Sequence, residues 1–80
     1  MKAQYRKTKE GELILVYVIS NKIGIKRYEC YHIYDDAHFE ADKEYLLTCK
    51  PQKCGDYVSL TNILGRVYDN LEITNRLPRL

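Results

Sequence analysis

Tryptophan is absent from this chain and phenylalanine occurs once, so its aromatic chemistry rests on 8 tyrosines. Long apolar runs are missing too. The longest, Leu13 to Ile19, is far short of the roughly 20 residues a bilayer-crossing helix needs, and nothing resembles a secretory signal. Together these absences exclude a helical membrane anchor and set the expectation of an intracellular, cytoplasmic protein with no membrane partner. Cysteine is scarce and odd in number: Cys30, Cys49 and Cys54 are too few for a secreted disulfide scaffold and read as free thiols in a reducing compartment. The glycines Gly11, Gly24, Gly55 and Gly65 are isolated, so there is no glycine-rich loop to cradle a phosphate. His32, Asp35, Asp36 and His38 could be assembled into an acid–base or divalent-metal cluster, but in a strand-to-loop connection these residue types are ordinary solvated turn formers. A chain of 80 residues has little room to enclose a supported pocket, so neither an enzyme nor a cofactor is expected. An excess of one charge is also lacking, since a net charge of +2 does not by itself indicate nucleic acid.

What is present is an ordinary globular balance, 45% apolar and 30% charged, enough for one small domain. Residues 1–10 are polar and basic and read as a flexible N-terminus, residues 11–75 as a single β domain, and residues 76–80 as a tail. Glu12 to Ser20 contains LILVYVI, apolar on both faces and rich in β-branched residues, the pattern of a central strand covered on both sides. Asn21 to Gly24 supplies a turn, so Ile25 to Tyr34 should return as a hairpin partner. Asp35 to Asp42 reads as a connection, Glu44 to Lys50 as a third strand stopped by Pro51, Gln52 to Asp56 as a turn with Gly55 at positive φ, and Tyr57 to Thr61 as a fourth strand. Leu60, Ile63, Leu64, Val67, Tyr68 and Leu71 recur at helical spacing among poor helix formers, which leaves helix and fifth strand both open for the last third. The fold class that follows is mainly β: a small antiparallel OB-like or SH3-like barrel of four to five strands, with a possible C-terminal helix.

Within IKRYECYHIY, residues 25–34, alternation places Lys26, Tyr28, Cys30, His32 and Tyr34 in one row, with Arg27, Glu29 and Tyr31 in the other. The first row is either a wet face able to stack bases and hold a phosphate, or the core side of a small sheet; parity alone leaves both open. Basic residues gather at Lys2, Arg6, Lys7 and Lys9, at Lys22, Lys26 and Arg27, at Lys50 and Lys53, and at Arg76 and Arg79. Between them lie Glu29, Asp35, Asp36, Glu40, Asp42 and Glu44. A fold that joins the basic segments would have a two-signed surface; one that does not would have a mixed, solvated one.

The run FEADKEYLLTCKPQKCGDYVSLTNI, Phe39 to Ile63, with the strand Ile25 to Tyr34 before it, resembles part of the small phage and plasmid single-stranded-DNA-binding OB proteins. There a loop with an aromatic residue leads into a strand, a short turn and a further strand. The resemblance implies stacking by Tyr28, Tyr34 and Tyr57 and phosphate contacts by Lys26, Arg27, Lys50 and Lys53, with single-stranded nucleic acid as the partner. A second function class uses the same residue types: a protein-interaction module, an accessory subunit or inhibitor docking on a larger replication or defence enzyme, through tyrosine and arginine anchors. A homodimer through a strand edge is open as well. Cys30, His32, Cys49 and Cys54 supply the number of ligands for a zinc site, although C-x-H followed by C-x4-C is not a standard zinc-finger spacing; the other reading is packed or free thiols and no metal.

Overall fold

The computed structural model describes residues 1–80 as a mainly β fold with short helices. Its elements are β1 (Lys2–Lys7), β2 (Leu13–Ser20), β3 (Lys26–His32), β4 (Ala37–Ala41), α1 (Lys43–Leu47), β5 (Lys50–Pro51), a 3-10 turn (Cys54–Tyr57), α2 (Val58–Leu64) and β6 (Glu72–Ile73). The sheet runs β4-β3-β2-β1-β5, and β6 adds to β1 in parallel at the end opposite to β5. The expected β class and C-terminal helix are found, but the sheet is open rather than closed into a barrel. Two segments expected as strands are helices, and nothing joins β4 to β5.

The reason lies in local spacing. Asp42 caps α1 by accepting from Tyr45 N at 2.8 Å, and Lys, Glu, Tyr and Leu then propagate a turn that carries Leu46 into the core. Leu46 and Cys49, three apart, are the buried residues of the segment Glu44 to Lys50, a spacing one side of a helical turn satisfies and a strand does not. Leu60 and Leu64 pack on the sheet in the same way, four apart, from the segment in which Tyr57 to Thr61 was expected as a strand. The Asp35 to Asp42 connection instead contains β4, reached through Asp36 at φ 51°. Gly55 has no positive φ and belongs to the 3-10 turn; the glycines that do use the left-handed region are Gly11 and Gly24, both at 81°. The hairpin at Asn21 to Gly24 forms as expected, and Asn21 Oδ1 accepts from Ile23 N (2.9 Å) and Ile25 N (3.0 Å).

Both faces of the sheet are covered. On one, Ala3, Tyr5, Leu13, Leu15 and Tyr17 pack with Leu64 beneath the segment from Tyr57 to Ile73. On the other, Ile14, Val16, Tyr28 and Cys30 pack with Leu46 and Cys49. This confirms β2 as a doubly covered central strand and corrects two expectations about the ends. Residues 2–7 are not flexible: they form β1, paired with β2 along one side and with β5 and β6 along the other. Their polar composition conceals this because Gln4 and Arg6 are buried together. Arg6 donates to Gln4 Oε1 (2.7 Å) and to the carbonyls of Leu46 and Cys49 (both 2.8 Å), so a buried guanidinium closes the C-terminal end of α1. Desolvation pushes its pKa down, opposed by the nearby Cys49 and Tyr28 groups. Nor is 76–80 a loose tail: Leu77 packs on the second cluster and Pro78 O accepts from Tyr28 Oη at 2.7 Å. No helix is long and apolar enough to cross a membrane.

Candidate nucleic-acid interface

The row that could have been a stacking face is a core face. Tyr28 is 4% exposed and its hydroxyl is engaged by the C-terminal segment, so it offers no ring to a base. Cys30 and His32 follow it inward. Tyr34 stands 79% exposed in the β3–β4 turn, apart from any basic cluster. Arg27 lies on the opposite face, against the Glu40 carboxylate and 3.7 Å from that of Glu29, so its charge is already matched. Lys26 is exposed opposite Ser20 at the β2–β3 hairpin. The four possible zinc ligands are not gathered: no three His, Cys, Asp or Glu side chains are grouped to hold a metal ion. His32 instead meets Glu12 at 2.5 Å, and all three cysteines are free. Burial pushes the Cys30 thiol up to about 12, with Cys49 and Glu29 adding to it, so Cys30 is a neutral packed thiol at neutral pH.

Lys50, Lys53 and Tyr57 do come together, beside β1. Lys50 stands directly opposite Lys7 in the β1–β5 register, and Gln52 N extends the pairing by donating to Tyr5 O at 3.0 Å. Tyr57 packs its ring 4.9 Å from that of Tyr5 and donates its hydroxyl to Gln52 Oε1 at 2.9 Å, so it is partly committed to the core. Beyond Lys53, the amide of Cys54 donates to Asn75 Oδ1 at 3.5 Å, which connects this cluster to the C-terminal segment. There a groove of about 830 Å³ is lined by Lys2, Arg76 and Arg79, with Val18, Asn75 and Pro78 among its other walls and no carboxylate. Basic residues thus make up a band along the outer edge of β1, with Lys7 and Lys50 at one end, Lys53 following β5, and Lys2, Arg76 and Arg79 around the groove at the other end, where Glu72 stands opposite Lys2. None of these six takes part in an ion pair; the ion pairs of the molecule involve Arg27 and His32. The acidic side chains nearest along the chain are Glu10, three residues after Lys7, Asp56, in the 3-10 turn, and Glu72, opposite Lys2.

Glu29, Glu40, Asp35, Asp36 and Asp42 lie on β3, β4 and the adjoining turns, at the other edge of the sheet, and Glu44 lies in the first turn of α1. Lys26, Arg27 and Lys43 share that side and Glu72 stands opposite Lys2, so the charges are separated only in part. Lys2, Lys7, Arg76 and Arg79 stand in the sequence only as members of basic clusters at ends that read as loose, not as phosphate contacts; their charge is the only signal the sequence offers. Like charges placed directly opposite, as Lys7 and Lys50 are, cost stability in a bare sheet. No protein-family model, curated protein or solved structure matches the chain.

Proposed function

We propose that this protein is a small nucleic-acid-binding module that holds phosphates along the basic band at the outer edge of β1. The observation that carries this reading is the gathering of Lys2, Lys7, Lys50, Lys53, Arg76 and Arg79 from three separate stretches of sequence, none of them in an ion pair. From Lys2 to Lys7, β1 advances about 17 Å, long enough for several successive phosphates of one strand to be neutralised. Because both sheet faces are covered and Tyr28 is buried, contact is with the backbone rather than through a row of stacked bases, so sequence preference is weak. Single-stranded nucleic acid remains the preferred partner, since a flexible strand can follow a band that bends from one face of the sheet to the other.

Fluorescence anisotropy with labelled single-stranded DNA, single-stranded RNA and duplex DNA tests this directly. Binding should weaken linearly in log–log form as salt rises, and the triple variant Lys50→Glu, Lys53→Glu, Arg76→Glu should lower affinity by roughly a hundredfold or more at low salt, with a shallower salt slope. Lys26→Glu, outside the band, should change affinity by less than about threefold. Equal loss in both variants would displace the contact surface, and no binding to any of the three ligands would remove the reading in favour of a protein partner.

A further inference from the structure

The edge of the sheet opposite the basic band is unpaired, and its backbone is set out in a self-complementary way. Ile33 N donates to Leu13 O and Asn21 N donates to Ile25 O, so the odd-numbered residues of β3 direct their backbone groups toward β2. By the alternation of an antiparallel ladder, the even-numbered ones then face β4. Through the register Cys30 to Phe39, the backbone groups of Ala37, Phe39 and Ala41 point into the sheet, and those of His38 and Glu40 point out of it. An antiparallel pair of such edges centred on Phe39 sets each outward-facing His38 opposite Glu40 of the other copy, where the two residues exchange both backbone hydrogen bonds. The His38 imidazole, whose Nε2 meets Tyr68 Oη of its own chain at 3.0 Å, then stands beside the Glu40 carboxylate of the other copy, twice across the dyad.

The other registers that match the outward groups do worse. Sliding by two residues one way places Glu40 against Glu40, and the other way His38 against His38, so like groups meet on the axis. Asp36, which the centred register would bring opposite Asp42, has φ 51° and has already left the strand. On the other face, Phe39 of one copy would lie beside Phe39 of the second. A shallow cleft of about 300 Å³, lined by Phe39, Ala41 and Tyr45 with Glu40 and Asp42, adjoins that position. Phe39 and Tyr45 pack edge to face at 6.3 Å, and Tyr45 is still 41% exposed. Glu40, although it engages Arg27, keeps 64% of its side chain exposed. We infer that two copies of this chain join through their β4 edges, centred on Phe39, into one continuous sheet with a basic band at each far end.

Such an isologous arrangement leaves the proposed nucleic-acid surface free and doubles it, without depending on it. The test is sedimentation equilibrium, or light scattering after size exclusion, over a dilution series. The chain of 9.5 kDa should give twice that mass at high concentration. Glu40→Pro removes an outward-facing N–H, and no hydrogen bond to β3, and should give a monomer with an unchanged circular dichroism spectrum. Glu40→Lys should weaken dimerisation by about tenfold or more, because the dyad makes each pair count twice, and adding His38→Glu to it should restore the dimer. A wild-type monomer at every concentration, or a dimer indifferent to Glu40→Lys, would overturn the inference. If Glu40→Pro proves unfolded, the charge-swap pair decides. Nucleic-acid binding by isolated monomers is read separately, so failure here and failure of the basic band are distinguishable.

Discussion

Burial gives several of this protein's ionisable side chains their chemistry. Cys30, with none of its surface exposed, is held protonated by desolvation, and its pKa is pushed up from an ordinary 9.0 to about 12. Tyr5 and Tyr17 are shifted upward as well, again with burial as the leading cause. An unfolded chain ionises these groups at a lower pH than the folded one does, so the stability they contribute is complete below about pH 9 and is lost as pH rises toward 12. Urea unfolding midpoints should therefore fall steadily above about pH 9, by at most about 1.4 kcal/mol per pH unit from a single group. Cys30→Val should flatten the first part of that decline, below the range where the tyrosines contribute. A wild-type midpoint constant to about pH 11 would show that Cys30 is wet. Arg6 is the complementary case, a buried cation satisfied by two carbonyls and an amide instead of a carboxylate, which removes it from the pool available to phosphate.

At the scale of elements, short helices exist because single capping and anchoring residues outweigh weak intrinsic preference. α1 is five residues long, below the length at which a helix is stable alone, and it is held by the Asp42 cap at its start, Arg6 at its end and Leu46 in the core. Asp42→Ala should lower folding stability by about 1 kcal/mol, seen as a lower urea midpoint at unchanged m value. An unchanged midpoint would assign α1 entirely to Leu46 and Arg6. The same contest explains why the segment Glu44 to Lys50 reads as a strand in sequence: Tyr, Leu, Leu, Thr and Cys are acceptable to either state, and the Asp42 cap with the spacing from Leu46 to Cys49 decides between them. In the last third, where helix and strand stood level, both occur: α2 takes Val58–Leu64 and, after Asn70 at φ 54°, a two-residue strand completes the edge of β1.

For the whole molecule, β1 is the organising strand. It contributes Ala3 and Tyr5 to one face of the core, Gln4 and Arg6 to the other, and pairing for three strands. Deleting residues 1–7 should therefore leave a chain without a cooperative unfolding transition or dispersed amide resonances. A well-folded truncated protein would mean that β2, β3 and β4 suffice. The strand also shapes the charge map, since β5 and the C-terminal segment bring Lys50, Lys53, Arg76 and Arg79 to it from far along the chain, while β3, β4 and their flanking turns place Glu29, Asp35, Asp36, Glu40 and Asp42 at the opposite edge. A net charge of +2 thus conceals a local gathering of cations at the outer edge of β1, and the salt dependence expected under the proposed function would come from that arrangement.

The sequence by itself determined the β class, the central doubly covered β2, its hairpin with β3 and the parity of Tyr28 and Tyr31. These follow from apolar periodicity and turn chemistry acting over a few residues. Tertiary structure alone decided which row of β3 faces the core, because alternation defines two faces without saying which will be covered; the C-terminal segment and α1 cover the Tyr28 side. It also decided that a polar N-terminus is a buried strand, since Gln4 and Arg6 become favourable inside only when distant carbonyls and side chains are there to meet them. The basic band likewise exists only after folding, its members being separated by up to 77 positions, from Lys2 to Arg79.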